Sequence, residues 1–395
     1  MSSEPRVPDG VTDGPSPEVN DLLARIGLVD HHTHSIVGGP IARADYLFML
    51  DESDKPEAAE LAGLETQVGF AVRRWCAPLL KMRASEPEET FLERRLAMTN
   101  DAAAARLLPM AGFERLIVET GFRGERLVGP DELGRLASAR VSTVVRLETV
   151  AESLALGGIG AGRFADAVVG AVADSLSAGA IGLKSIAAYR HGLDLDPSRP
   201  ERAAVERAAG AWLRTVEETG SARITDPVLL RLLLWTAVDT GRPLQIHTGY
   251  GDTDLDLRRA DPIHLTDFIR ATEGRLPILL LHTYPFQRNA GYLAQMFANV
   301  YLDVGLAINY VGAQSPQVIA ESLELAPFGK LLFSSDAWGL PELHLVGSLL
   351  FRRGMSRVVG EWVARGDWSL ADAERVVRRI AGENARRVYG LPAPD

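Results

Sequence analysis

Eight short apolar runs recur along the 395 residues, separated by longer amphipathic stretches. Runs that are hydrophobic throughout, rather than at alternate positions, are typical of parallel strands covered by helices on both faces. Eight strands that alternate with helices predict an α/β fold, a TIM-type (β/α)8 barrel. The predicted strands are Leu28–His34, Arg115–Thr120, Thr143–Glu148, Ala180–Ile186, Pro243–His247, Pro277–His282, Val300–Val304 and Leu331–Asp336.

A doubly wound parallel sheet fits the same alternation of strands and helices. Such a sheet would bind a nucleotide through a glycine-rich loop after an early strand. The best candidate, GGIGAG at 157–162, has neither the GxGxxG nor the GxxxxGK[ST] spacing. The barrel is therefore the favoured architecture.

The spacing of the first two predicted strands is irregular. Residues 35–114 separate them, far more than one crossover helix requires. Helical patterns around Glu57–Lys81 and Glu88–Leu108 predict a helical insertion here, over the mouth of the barrel. Residues 1–16 are crowded with turn residues and predict a flexible N-terminal tail, which leaves 17–395 as a single barrel domain.

Charge and cysteine content narrow the function classes. Lys and Arg total 42 against 52 Asp and Glu, a formal net charge of −10, which argues against nucleic acid or an anionic membrane as the main partner. The single cysteine, Cys76, excludes an intramolecular disulfide framework and a cysteine-based zinc cluster. The polar N-terminus does not resemble a secretory signal. We therefore expect a cytoplasmic enzyme that acts on a small molecule.

Side chains with strong ligand chemistry lie at the carboxyl ends of the predicted strands. His32 and His34 share one face of the first strand because alternate strand residues point the same way. His247 ends the fifth strand, His282 the sixth and Asp336 the eighth. A single strand-end histidine is more often a hydrogen-bonded structural residue than a ligand. Four histidines and a carboxylate at one rim predict one or two divalent metal ions, with zinc expected first and manganese, iron or nickel as alternatives.

Other polar residues close to these strand ends are candidates for binding substrate. Tyr189 and Arg190 follow the fourth strand, Arg146 lies near the end of the third, and Tyr284 comes shortly after the sixth. Each could hold a substrate carboxylate or amino group, or could form a structural contact instead. The acidic stretch at 252–256 lacks the glycine and glutamate of a calcium loop and is predicted to lie over the site.

With these residues assembled, the sequence resembles the amidohydrolase superfamily, family 2 type. More narrowly, it looks like the branch of the N-terminal amidohydrolase domain of fungal FluG and nodulin-like proteins, which is often fused to a glutamine-synthetase-like domain. The stretches that carry the resemblance are VDHHTHS (29–35), GLKSIAAYRHGLDLD (182–196), QIHTGYGDTDLDL (245–257), LLLHTYPFQRNAGYLAQMFANVYLDVGLA (279–307), LLFSSDAWGLPELH (331–344) and ENARRVYGL (383–391).

The resemblance implies a set of metal ligands. His32, His34 and Asp336 would bind a first metal, with His247 and His282 nearby as further ligands. In members of the family that hold one metal, the histidine of the sixth strand acts from outside the ligand set.

Other members of the family hold two metals, bridged by a carboxylated lysine at the end of the fourth strand. Lys184 is the residue that matches this position. Burial beside a cation would favour its neutral amine, which is the form that reacts with carbon dioxide.

These residues and the resemblance predict a hydrolase in which a metal activates water to cleave a C–N amide-type bond. Asp336 would be the general base, and a metal or His282 would polarise the scissile carbonyl. A γ-glutamyl amide is one expected substrate, by association with the ligase fusion. The alternatives are a metal-dependent decarboxylase of an unsaturated or aromatic acid and a non-catalytic ligand-binding barrel. A homo-oligomer is also expected.

Overall fold

Seven of the eight predicted strands form one parallel sheet in the computed structural model, which describes residues 7–8, 10–122 and 126–393. The strands lie in chain order across the sheet, and every neighbouring pair is parallel. They are β1 (Leu28–Thr33), β2 (Phe113–Glu119), β3 (Arg140–Arg146), β4 (Gly182–Ser185), β5 (Leu244–His247), β6 (Ile278–Leu281) and β7 (Val300–Leu302).

The eighth predicted strand, at 331–336, does not form a regular strand but still joins the two edges of the sheet. The Leu332 amide donates to the Leu302 carbonyl of β7 over 3.0 Å. On the other side, the His31 amide of β1 donates to the Phe333 carbonyl, also over 3.0 Å. This segment therefore connects β7 to β1, and the sheet curls into an α/β barrel.

Side-chain hydrogen bonds explain why the regular strand pattern is lost in this segment. The buried carboxylate of Asp30 accepts from the amide of Ser335 over 3.0 Å and from its hydroxyl. Asp336 adopts a left-handed φ of 50°, while its amide donates to the His32 carbonyl over 3.1 Å. An aspartate side chain and a turn therefore replace part of the β ladder, a change that the apolar pattern cannot reveal.

Helices fill the connections between the strands. The amphipathic segment predicted at 227–240 forms a helix, capped by the Asp226 side chain. None of the helices in the described ranges is both long and apolar enough to cross a membrane. The helices are α1 (Pro17–Arg25), α2 (Arg43–Leu50), α3 (Pro56–Ala62), α4 (Gln67–Leu79), α5 (Glu88–Leu96), α6 (Asn100–Leu107), α7 (Pro130–Ala137), α8 (Leu147–Leu156), α9 (Ala161–Ser177), α10 (Ala187–Arg190), α11 (Arg202–Thr219), α12 (Pro227–Thr240), α13 (Thr266–Ala271), α14 (Gln287–Met296), α15 (Gly305–Val311), α16 (Ser315–Ser322), α17 (Pro341–Ala364), α18 (Leu370–Arg378) and α19 (Asn384–Tyr389).

Five helices, α2 to α6, lie between β1 and β2, where the sequence predicts a helical insertion. A buried ion pair joins this segment to α17: Arg95 in α5 contacts Glu342, and both side chains are fully buried. Arg95 also donates to Asn100, whose amide group donates in turn to the Gly339 carbonyl over 2.8 Å. These contacts fix the segment to the chain that follows Asp336.

The Arg95–Glu342 pair leads to a stability prediction. Glu342→Leu leaves a buried guanidinium without its counter-charge, so we expect a loss of about 3–5 kcal/mol in the free energy of unfolding. The double variant Arg95→Met, Glu342→Leu removes both charges and should recover most of that loss. Urea unfolding measures both changes.

The matched control is Asp166→Asn at the exposed pair with Arg202, which should change stability by less than about 1 kcal/mol. A Glu342→Leu variant as stable as this control would contradict a structural role for the buried pair.

The N-terminal residues differ from the flexible tail that the sequence predicts. Val11 is fully buried, and Asp13 forms ion pairs with Arg353 and Arg357 of α17, each at 2.9 Å. The predicted tail at residues 1–6 and 9 lies outside the described residues. The turn-rich composition predicted a loose segment. It could not show that Asp13 has ion-pair partners more than 300 residues away in the sequence.

Candidate metal centre

The first strand points two histidines into a cavity of about 220 Å³ at the carboxyl ends of the strands. His32 and His34 line this cavity and are both buried. His31, which directly precedes His32, points to the opposite side, where its Nε2 lies 2.8 Å from Oδ2 of the buried Asp303. The alternation predicted from the sequence therefore delivers two imidazoles to one space.

The carboxylate of Asp336 lies at the centre of three histidines. Its Oδ1 is 3.0 Å from Nε2 of His32 and 3.4 Å from Nε2 of His34. Its Oδ2 is 3.6 Å from Nε2 of His282. Donor atoms of His32, His282 and Asp336 all lie within 4.8 Å of one another, a spacing that could hold one metal ion.

The structure brings the two remaining predicted ligands to the same cavity. The ring of His247 lies 4.6 Å from the ring of His282, centroid to centroid. Nζ of Lys184 is 3.3 Å from Nε2 of His32. All six residues predicted from the sequence as metal ligands line this cavity.

Hydrogen bonds on the far side of the rings determine which nitrogen atoms face the cavity. The Gln245 amide group donates to the His31 carbonyl over 2.7 Å, so its Oε1 accepts from Nδ1 of His32 over 2.8 Å. Nδ1 of His34 donates to the Glu119 carbonyl over 3.2 Å. Both histidines therefore present Nε2 as a lone pair, and each lone pair faces a carboxylate oxygen.

Several of these potential metal-ligand atoms have no hydrogen-bond partner. Nε2 of His247, both ring nitrogens of His282 and Oδ1 of Asp336 are buried and unpartnered within the described structure. Buried acceptors that face one another without a proton between them are costly unless a cation lies among them. The nitrogen and oxygen donors fit a divalent transition metal.

The electrostatics of the site keep His32 and His247 neutral and Asp336 charged. Burial, followed by the nearby Lys184, lowers the pKa of His32 well below its ordinary value. Burial and His282 lower the pKa of His247 in the same way. Burial alone would raise the pKa of Asp336, but the surrounding histidines hold it well below its usual value. Metal ligands need these protonation states.

Burial also lowers the pKa of Lys184, to about 8. An appreciable fraction of this lysine is therefore a neutral amine near pH 8, even before a metal cation approaches.

Gln245 was missed by the sequence reasoning, although a polar residue inside the apolar fifth strand is a readable signal. We expect Gln245→Leu to weaken metal affinity by about 10- to 100-fold, because His32 loses the acceptor that fixes its tautomer. Competition with a chelator, followed by elemental analysis, measures the change. The exposed Gln314→Leu is the matched control and should leave affinity unaltered. Equal affinities in both variants would refute the orienting role.

Asp303, also missed, holds the backbone around His282. His282 and Thr283 have left-handed φ values of 71° and 51°, which are costly for residues other than glycine. Oδ1 of Asp303 accepts from the His282 amide over 2.9 Å and from the Gly305 amide over 2.8 Å. A search for polar residues at strand ends could have found it, because Asp303 directly follows β7.

Three of the four predicted substrate-binding residues line the cavity: Arg146, Tyr189 and Arg190. Arg146 forms a close ion pair with the buried Glu119. Arg190 forms an ion pair with Glu152 at 3.0 Å. The Tyr189 ring lies 4.4 Å from the His247 ring, centroid to centroid. The two arginines are therefore held in place by their own carboxylates.

Tyr284, the fourth, is not among the residues that line the cavity. The left-handed turn at His282 and Thr283 redirects the chain, so Tyr284 packs near Tyr250 with ring centroids 6.5 Å apart. The sequence-based prediction placed Tyr284 in the site because it took the chain to continue in the direction of β6 beyond His282.

Seven further charged and aromatic residues line the cavity, and five of them were not singled out from the sequence. Two come from the segment between β1 and β2, and two belong to the acidic stretch at 252–256, which does lie over the site as expected. These residues are Glu52, Asp54, Phe122, Arg223, Asp252, Asp254 and Trp338.

Comparisons with known proteins find related sequences. The sequence profile of the amidohydrolase family matches residues 29–391. The protein fluG of Emericella nidulans is 34% identical over 242 residues, which cover 58% of this chain and 27% of that protein. The chain therefore matches about a quarter of the length of this relative.

Solved structures share the fold. A Lactobacillus casei protein assigned as a metal-dependent hydrolase superimposes with a TM-score of 0.81 and 26% identity, covering 94% of this chain and 96% of that one. A uronate isomerase from Bacillus halodurans has a TM-score of 0.63 at 14% identity, covering 95% and 96% of the two chains. At that identity the second likeness concerns the fold alone.

Proposed function

Because this chain belongs to the amidohydrolase family, we propose that it is a metal-dependent hydrolase that cleaves a C–N amide-type bond of a small polar substrate. The observation that carries the proposal is the convergence of unpartnered, buried histidine nitrogens on the carboxylate of Asp336. Zinc is our first candidate for the metal, with manganese, iron and nickel as alternatives.

A divalent metal in this set would lower the pKa of a water molecule and polarise the amide carbonyl. Asp336 then acts as general base: its carboxylate accepts the proton of the attacking water and later delivers it to the leaving nitrogen. Neutral His282 lies 3.6 Å from Oδ2 of Asp336 and is placed to act as a ligand or to stabilise the developing oxyanion. The products are a carboxylate and an amine.

We propose that Lys184 takes up carbon dioxide as a carbamate, whose carboxylate would help to hold a second metal ion. The buried amine lies 3.3 Å from Nε2 of His32, and its lowered pKa favours the neutral form that reacts with carbon dioxide. We further propose that the segment between β1 and β2 is an insertion that shapes the substrate pocket, because Glu52 and Asp54 come from it.

The test combines elemental analysis with an amide panel. We expect two metals per chain in protein purified without chelator, and the release of amine and carboxylate from at least one amide, with γ-glutamyl amides included in the panel. Lys184→Ala should bind one metal fewer, and a short carboxylic acid should restore part of its activity. Release of carbon dioxide from an aromatic or unsaturated acid, with no amide cleaved, would replace hydrolysis by decarboxylation. Failure to bind any divalent metal would overturn the proposal.

A further inference from the structure

A buried carboxylate that is not a predicted metal ligand holds the chain directly after Lys184. Glu148 lies in the first turn of α8 and is fully buried. Its Oε1 accepts from the hydroxyl of Ser185 over 2.7 Å and from the amide of Ile186 over 3.0 Å. These two donors are the residues that follow Lys184 in the sequence. The carboxylate therefore fixes the backbone at the point where β4 ends.

Pairing between strands does not hold this point on both sides. Lys184 is the last residue of β4 that pairs with β3, through Arg146. On the β5 side the pairing continues to Ser185. On the other side β3 ends at Arg146, where α8 begins. The side chain of Glu148 therefore supplies the acceptor on the β3 side, where the backbone ladder stops.

The turn that Glu148 holds leads from the lysine to the wall of the metal cavity. The Ser185 hydroxyl, which donates to Glu148, accepts in turn from the Ala187 amide over 3.2 Å at the start of α10. A movement of this turn would therefore shift side chains on both sides of it. Those that line the cavity are Lys184 before the turn and Ile186, Tyr189 and Arg190 within and after it.

Glu148 occupies this position at a cost in stability. Burial raises the pKa of its carboxyl above the ordinary value, and the nearby Arg146 offsets only part of that effect. Burying a carboxyl group is not what stability alone would favour. Lys184 is only 2% exposed, and its Nζ lies 3.3 Å from Nε2 of His32. The place of this buried amine depends on the backbone that carries it, and that backbone ends in the turn fixed by Glu148.

We propose that Glu148 is a positioning residue: through Ser185 and Ile186, it places the Lys184 amine in the metal cavity, where the amine takes up carbon dioxide. The inference rests on the proposed role of Lys184 and adds the residue on which that role depends. The neutral amine forms a C–N bond to carbon dioxide, one C=O π bond becomes a carboxylate, and the nitrogen loses one proton to solvent. Glu148 acts through the turn and not on the reacting atoms.

The first experiment detects the carbamate and the second metal. Metal-loaded protein in 13C-bicarbonate is examined by 13C NMR, and Lys184→Ala identifies the signal among the four lysines of the chain. Glu148→Met keeps the length of the side chain but removes the oxygen acceptor. We expect it to lose most of the carbamate signal and to bind the second metal at least about tenfold more weakly. Glu148→Gln keeps an acceptor for both donors and should retain the signal.

Two serine variants separate positioning from a general loss of stability. Ser185→Ala removes one of the two hydrogen bonds to Glu148 and should change the carbamate signal in the same direction but less, so it decides the question if Glu148→Met does not fold. Ser348→Ala is the matched control: its buried hydroxyl donates to the Ala111 carbonyl over 2.6 Å, in α17. It should leave carbamate and metal content unaltered. Thermal unfolding is measured for every variant.

A second measurement needs neither carbamate nor turnover. Trace acetylation of metal-free protein, followed by mass spectrometry, compares the reactivity of Lys184 with that of the exposed Lys55. We expect Glu148→Met to raise this ratio at least about threefold, because a loosened turn exposes the amine, and Glu148→Gln to leave it unchanged.

The outcomes distinguish the positioning role from the carbamate. A raised labelling ratio in Glu148→Met, with no carbamate in the wild type, would reject the carbamate and keep the positioning role. Unchanged labelling, carbamate and metal content in Glu148→Met would overturn the inference. Equal losses in Glu148→Gln and Glu148→Met, or in Ser185→Ala and Ser348→Ala, would also overturn it, because the effect would not depend on the hydrogen bonds to the turn.

Discussion

Asp336→Asn will lower kcat by about 10²- to 10⁴-fold and leave the fold intact. The amide has the shape of the carboxylate but cannot take a proton from water. It also replaces one of the two oxygens that face His32, His34 and His282 with an NH2 group. Steady-state kinetics on an amide identified by the panel, with circular dichroism and thermal unfolding, measure both parts of the prediction.

The control for this variant is Asp239→Asn, which removes an aspartate from a surface cluster with Arg199 and Arg275. Its kcat should stay within about twofold of wild type. If Asp336→Asn retained a comparable rate, the base would have to be another residue, and the proton path through the site would be wrong.

His32→Ala will remove metal from the protein. Partners that only orient a ligand cost about 10- to 100-fold in metal affinity, so removing a ligand that contacts both Asp336 and Lys184 should cost more than about 100-fold. Elemental analysis after dialysis, together with chelator competition, gives the occupancy. The loss of rate should follow the loss of metal and recover in part at high metal concentration.

The matched control is His264→Ala, an exposed histidine in the turn before α13. It should keep full occupancy. A His32→Ala protein with unchanged metal content would mean that the metal is held elsewhere, and the ligand set would have to be redrawn.

The sequence predicted the strands and the histidines at their ends, because both depend on patterns among residues close together in the chain. Continuous apolar runs identified the strands that pair in parallel, and their order placed His32, His247 and His282 at one rim. These inferences need only the period of a strand and the direction of a parallel sheet. The histidines meet because all parallel strands end at the same side.

The remaining features depend on contacts between residues far apart in the chain. The Asp30 carboxylate accepts a hydrogen bond from the Ser335 amide, more than 300 residues later in the chain, in place of a strand-to-strand backbone bond. Gln245 gains its role from the carbonyl of His31. Tyr284 leaves the site because left-handed residues before it turn the chain. No periodicity of hydrophobic residues encodes such tertiary hydrogen bonds and turns.

The hydroxyl of Tyr389, in the last helix, accepts a hydrogen bond from the Gln245 amide group over 2.8 Å and lies 3.3 Å from Nδ1 of His31. Gln245, which orients His32, therefore has a hydrogen-bond partner, Tyr389, that is synthesised after every predicted ligand. A nascent chain that already contains Asp336 still lacks this contact. A chain cut before α19 would therefore leave the Gln245 amide group without this acceptor, although every predicted ligand is present.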